Sequence, residues 1–196
     1  MKIGLASYRF INHQVAYNLS QIKKAMRLAS GKVDLLCFGE SFLQGFDALH
    51  WNYDHDKEIA ITQTSAIMRK LCEATLRYQV DLALGYIEKS QDRLYSSYAV
   101  IERGRLLHNY RRISRGWKEF RITDDHYQEG TATTAFWYHG QKLQIALCGD
   151  LWDFPERFKT DGLLIWPVYV NFSLDEWKTY EQEYAQQASL AASKTV

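Results

Sequence analysis

Apolar residues recur along this chain with two periods, one helical and one of two residues, and the switches between them predict its elements. Residues 2–8 predict a strand. From 15 to 29, Val15, Leu19, Ile22, Met26 and Ala29 fall on one helical face, and Gly31 stops that helix. Residues 33–38 form a nearly continuous apolar run, the pattern of a strand buried on both faces, which ends at Gly39-Glu40. A second helix is predicted over 57–78, burying Ile61, Met68, Leu71 and Leu76. A strand over 80–88 follows, then a hairpin of 94–102 and 105–110 around Arg103-Gly104. A further hairpin, 133–139 and 142–148, is expected to turn at Gly140-Gln141. After Pro155 come a short helix, a strand over 163–170 and an amphipathic helix over 175–193. Thr195-Val196 reads as the start of another strand, so the chain is expected to stop before the fold's last strands. Between the hairpins, residues 111–131 are charged, aromatic and weakly periodic; a connection this long reads as functional. Strands alternating with helices at the ends and hairpins in the middle argue for one domain, residues 1–196, with α/β layers around two sheets.

Composition narrows the possible partners. The chain has 196 residues, of which 46% are hydrophobic and 24% charged, enough for one sizeable core. A net charge of +1 gives no electrostatic case for nucleic acid or an anionic membrane, which leaves a small molecule or another protein. No apolar stretch is long enough to cross a bilayer and the amino terminus enters a strand pattern directly, so a cytoplasmic address is expected. Cys37, Cys72 and Cys148 are odd in number and widely spaced, which predicts reduced thiols. The six histidines lack metal-motif spacing, and His50 and His55 near Asp54 and Asp56 read as a solvated loop; no metal or cofactor is assigned. The basic run Arg111, Arg112, Arg115, Lys118 and Arg121 is interleaved with Glu119, Asp124 and Asp125, and reads as a solvated loop with one functional cation.

Chemistry concentrates at two strand ends. The apolar run 144–147 delivers Cys148 into Gly149-Asp150-Leu151-Trp152-Asp153-Phe154-Pro155-Glu156, so its thiol is expected at the strand's carboxyl end, where ligands of α/β sheets bind. A cysteine needs a base or a positive field to act as a nucleophile. Glu40, just past the strand 33–38 and set against apolar walls, is a carboxylate whose pKa desolvation would raise toward that of a general base. Cys37 and Cys72 read as packing residues. Trp117, Trp152, Trp166 and Trp177 read as either pocket walls or core, with Trp152 set beside the nucleophile turn.

These motifs together resemble the nitrilase superfamily, the carbon-nitrogen hydrolases. Phe38-Gly39-Glu40 with Gly45 is similar to the family's acid motif, with Gly39 where proline is usual. Cys148, Asp150 and Phe154-Pro155-Glu156 are similar to its nucleophile motif, and further echoes at 84–88, 95–104 and 161–167 extend the resemblance over nearly the whole chain. The resemblance implies a four-layer α-β-β-α sandwich, a homodimer or higher homo-oligomer, and hydrolysis of a small linear amide. In that reaction Glu40 is the base, Cys148 the thioester-forming nucleophile, and a lysine with the backbone NH after Cys148 holds the oxyanion. Cys148-Gly149-Asp150 lacks the Cys-Trp-Glu of true nitrilases, which favours an amide over a nitrile. The family's lysine follows a Tyr-Arg pair; here Tyr110-Arg111 is followed by Arg112, and the nearest lysine is Lys118. Either Lys118 swings in from the loop, or Arg112 takes the role with a larger, permanently charged group. Glu119 is a candidate additional acid, and Gly149, Asp150 and Trp152 are expected to shape the substrate pocket with Arg112. Two alternatives follow from the lost lysine and the short chain: a binding or assembly protein that keeps the fold, and a glutaminase-like supplier of ammonia to a synthetase.

Overall fold

A computed structural model describes residues 1–196. Its larger sheet has five strands, β1 (Ile3–Leu5), β2 (Leu35–Cys37), β3 (Asp81–Ser90), β4 (Arg93–Glu102) and β5 (Arg105–Arg111), in sequential order. The first three are parallel, and β3, β4 and β5 form antiparallel hairpins. The smaller sheet pairs β6 (Phe136–Tyr138) antiparallel with β7 (Gln141–Ile145), and β7 parallel with β8 (Leu163–Ile165). Residues 194–196 run parallel beside β8, where Leu164 N–H donates to Lys194 and Val196 N–H to Leu164.

Alternation along the strands produces the layers. Leu35, Cys37, Ala83, Tyr98, Val100 and Tyr110 of the larger sheet meet Leu143, Ile145 and Leu164 of the smaller one in the central core. On the larger sheet's other face, Leu36, Leu82, Leu84, Ala99 and Ile101 pack against helices α1 (Val15–Ala29) and α3 (Ala66–Tyr78). Helix α5 (Leu174–Ser189) contributes Ala188 to the central cluster and forms the outer layer on the other side. The result is the predicted α-β-β-α sandwich. No helix is long and apolar enough to cross a membrane.

Three expectations need correction. The helix over 57–78 is two helices, α2 (Tyr53–Ile59) and α3. Asn52 caps α2 through His55 N–H and Ser65 caps α3 through Met68 N–H, so each start is fixed by a side-chain oxygen that a periodicity count ignores. Between them Ile61 bridges to Glu88, while Leu76 lies 60% exposed at a position expected to be buried. The second hairpin turns one residue early, at His139-Gly140, both with positive φ as a two-residue hairpin requires. The Arg103-Gly104 turn is as predicted.

Candidate active site

The end of β2 and the end of β7 lie in the central layer, and each continues into a turn that carries a candidate catalytic side chain, Glu40 and Cys148. After β2, Phe38 N–H still donates to Ala83, and Gly85 N–H to Gly39. The next turn bends sharply, with Ser41 at φ 50°. This turn presses on β3 so closely that a Cβ at Gly85 would stand 2.7 Å from the Glu40 Cα. Gln44 anchors the same turn by accepting from Ile87 N–H and donating to the Ile59 and Ile87 carbonyls. Glu40 is thereby fixed at 3% exposure.

Beyond β7 the chain stays hydrogen-bonded to the segment from β8 onward, with Ala146 N–H donating to Ile165. Cys148 N–H donates to Pro167, its carbonyl accepts from Trp166 Nε1, and its φ is 41°. A left-handed conformation at a non-glycine residue is strained and persists only where its surroundings hold it; such strain gathers at functional sites. Asp150 is what holds this turn. Fully buried, it accepts from Leu147 N–H and Tyr110 Oη with one oxygen, and from Ile113 N–H and Ser114 N–H with the other. Asp150 therefore ties the cysteine turn to the segment after β5, and its four donors leave no part of the carboxylate for a substrate.

That segment supplies Arg112, 4% exposed. Its Nη1 donates to Glu40 Oε1 at 2.8 Å and its Nε to Ser114 Oγ at 2.7 Å. The remaining nitrogen, Nη2, donates to no protein group and lies against Gly149, where a Cβ would approach it to 2.5 Å. Gly149 is required by this approach, since its φ of −62° is ordinary. Lys118 turns away from Glu40 and Cys148: its Nζ donates to the Tyr127 carbonyl and pairs with Glu129 at 2.8 Å. The structure thus brings together Glu40, Arg112, Cys148 and Gly149, with Ser96 Oγ a further, longer contact to Glu40 at 3.4 Å. Glu119 lines a cavity next to Glu40. Trp152 packs outward on Trp166 and Tyr184 at 37% exposure. Ser96 and Ser114 were missed in the sequence; a serine pair at 96–97 inside an otherwise apolar and aromatic strand was the available signal for the first.

The electrostatics are those of a shared site. Burial pushes the Glu40 carboxyl up, and the Arg112 charge and hydrogen bond only partly oppose this. Burial and the Glu40 charge push the Cys148 thiol up to about 11, with Arg112 pulling the other way. Burial works against the Arg112 cation, yet Glu40, Cys148 and Asp150 together hold its pKa above the ordinary value. Glu40 Oε2 is buried without a hydrogen-bond partner. An acceptor kept dry and unfilled beside a neutral thiol suits a base that takes a proton during reaction, since a standing thiolate would cost more. Cys37 is raised to about 12 by burial and Cys72 is also raised by burial, neither next to such a base.

The carbon-nitrogen hydrolase family model matches residues 3–185. An (R)-stereoselective amidase of Pseudomonas sp. is 26% identical over 156 residues, 80% of this chain and 54% of that protein, so the chain spans about half the length of this relative. A carbon-nitrogen-hydrolase-superfamily protein of Xanthomonas campestris, solved with an arsenic adduct in its active site, superposes with a TM-score of 0.78 at 16% identity, covering 100% of this chain and 76% of that one. A variant of the amidase of Nesterenkonia sp. AN1, with the acetamide moiety of fluoroacetamide added covalently at its active-site cysteine, gives 0.76 at 17% identity over 100% and 76%. With the family model spanning nearly all of a chain that folds as this α-β-β-α sandwich, the protein belongs to the carbon-nitrogen hydrolase family.

Proposed function

We propose that this chain hydrolyses a small linear amide through a thioester at Cys148, with Glu40 as base and Arg112 in the place of the lysine that the resemblance implies. The observation that carries this is the Glu40–Arg112 ion pair with Arg112 Nη2 unengaged beside Gly149, the residue after Cys148. Glu40 takes the thiol proton as sulfur bonds to the carbonyl carbon. The resulting oxyanion is held by Arg112 Nη2 and the Gly149 N–H, which makes no backbone hydrogen bond. The carbon–nitrogen bond then breaks, and the leaving amine carries off the proton from Glu40. A water that gives its proton to Glu40 adds to the thioester, and collapse releases the carboxylic acid and restores the thiol. The cysteine adduct of the Nesterenkonia amidase supports the nucleophile's assignment. Intact-mass detection of an adduct on incubation with fluoroacetamide, absent in Cys148→Ala, tests the reading; no adduct and no ammonia from any amide sinks it.

One observation favours a second reading, a binding protein that retains the fold. An arginine cannot give up its proton, and Nη1 and Nε of Arg112 are committed to Glu40 and Ser114. Ammonia release unaffected by Glu40→Gln would exclude the mechanism above.

A further inference from the structure

The cavity beside Glu40 carries a charge pattern that amide hydrolysis does not require. It encloses about 300 Å³, with Glu40, Ser96 and Arg112 at one end. Its other walls include Phe46, Trp51 and Trp117, and its rim carries Asp47 and Glu119. Glu40 and Arg112 offset each other through their ion pair. Asp47 and Glu119 have no ion-pair partner, and the lysine between Trp117 and Glu119 is committed to Glu129. The cavity therefore has two surplus negative charges over an aromatic wall. Two buried polar atoms of the lining, Glu40 Oε2 and Trp117 Nε1, have no partner in the protein. Glu40 Oε2 is an acceptor that a donor on the occupant can fill, while the Trp117 N–H needs an acceptor that a cation does not supply.

The aromatic wall is held in position. Asp56, 1% exposed, accepts from His50 N–H and Trp51 N–H and from Tyr127 Oη, and Tyr127 packs between Trp51 and Trp117 at centroid distances of 5.9 and 6.2 Å. Trp51 sits at φ 61° within this clamp. Fixed tryptophan faces flanked by unpaired carboxylates are the chemistry that receives an organic cation.

We infer that the amide substrate carries a positive charge, an ammonium or guanidinium, at the end away from the scissile bond, seated against the wall of Phe46, Trp51 and Trp117 with Asp47 and Glu119 at the rim. This rests on the amide-hydrolase reading for the site at its other end. The carboxylates supply Coulomb attraction and the indoles a cation–π surface, while a neutral tail of the same length gains neither.

The test compares three amides of similar length on the full chain: γ-aminobutyramide, valeramide and succinamate, which end in a cation, a methyl group and an anion. The expected kcat/KM falls in that order, with the cation ahead of the methyl compound by ~10-fold or more and the gap narrowing with added salt. Asp47→Lys should bring the first ratio to one or below, with folding checked by circular dichroism. Valeramide turned over as well as or better than γ-aminobutyramide overturns the inference while leaving the amidase reading intact. If no amide is turned over and no adduct forms at Cys148, that reading fails instead. Calorimetric titration of Cys148→Ala then decides the charge preference by itself: tighter γ-aminobutyramide supports it, and equal or weaker binding overturns it.

Discussion

Two buried glutamate–arginine pairs stand on opposite faces of the larger sheet, built from neighbouring residues. Arg111 and Arg112 are consecutive, as are Ser96 and Ser97 on the strand beside them, so alternation sends one of each to either face. On the helix side, Glu88 accepts from Arg111 Nε and Nη2, Ser97 Oγ, Asn109 Nδ2 and Gln63 Nε2. On the inter-sheet side, Glu40 accepts from Arg112 Nη1 and, at 3.4 Å, from Ser96, and keeps Oε2 empty. Burial pushes both carboxyls up. At Glu88 the hydrogen bonds from Arg111, Ser97 and Gln63 outweigh burial and the pKa falls below its ordinary value, while at Glu40 burial wins and it rises. A filled carboxylate is a structural fastening. One left partly unfilled holds free energy available for proton transfer.

Replacing each glutamate by glutamine separates the two sites most widely. Glu40→Gln should lower amide hydrolysis by about 100- to 10,000-fold, the range of a lost general base. A group whose folded pKa is raised contributes stability at low pH and loses it as pH rises through the folded value, so at neutral pH an ionised Glu40 is a cost. Glu40→Gln removes that cost and keeps an oxygen for the Arg112 hydrogen bond, but it leaves the buried Arg112 cation without its counter-charge; the two effects oppose, so its melting temperature should shift less than that of Glu88→Gln. Glu88→Gln should melt lower than the parent, because a lowered carboxyl stabilises above its unfolded pKa and loses that as pH falls through the folded one. We expect roughly 2–4 kcal/mol of destabilisation, toward the lower end because Arg111 is 29% exposed, with turnover per folded molecule retained. Thermal melts with active-site titration check both, and a Glu40→Gln protein that melts below Glu88→Gln breaks the comparison.

Asp150 belongs with the filled class although it stands two residues from Cys148. Asp150→Ala orphans four buried donors and should cost about 3–5 kcal/mol, read by urea unfolding. A small loss accompanied by a raised KM would place it with the substrate groups instead.

How legible these sites were in the sequence follows from the same difference. Cys148 and Glu40 stood out as candidates because each closes a strand with local punctuation, a short apolar run followed by a Gly-containing turn. The layers were legible for a similar reason, since alternation along β3 and β4 is a property of neighbours in the chain. The competition between Lys118 and Arg112 was not resolvable that way. Residues 112–131 have no period to give side-chain direction, and what turns Lys118 aside is the Tyr127 carbonyl and Glu129, nine and eleven residues on. The capped starts of α2 and α3 were hidden likewise: Ser65 and Asn52 look unremarkable until their hydroxyl and amide oxygens meet particular N–H groups.

The pH behaviour sharpens the comparison on the reactive side. The proposed mechanism needs ionised Glu40, so activity should fall on acidification with a midpoint above the ordinary 4.5. Arg112→Gln removes the charge that lowers both partners. The midpoint for Cys148 alkylation by iodoacetamide should then move upward from about 11, measured against a Cys148→Ala background. A midpoint that stays or falls would take Arg112 out of contact with the thiol.

The smallest effect comes from the two serines that accompany the pairs. Ser97 Oγ donates to Glu88 at 2.7 Å and Ser96 Oγ to Glu40 at 3.4 Å, so their removal differs in kind as well as size. Ser97→Ala should cost about 1 kcal/mol in unfolding and leave the pH profile alone, the ordinary consequence of a lost buried hydrogen bond. Ser96→Ala should cost less in unfolding, because its bond is long, yet raise the acid midpoint of activity, because Glu40 has so few other donors that losing a weak one still favours its protonated form. Equal stability losses with no shift in the midpoint would mean that Glu40 is no less securely filled than Glu88.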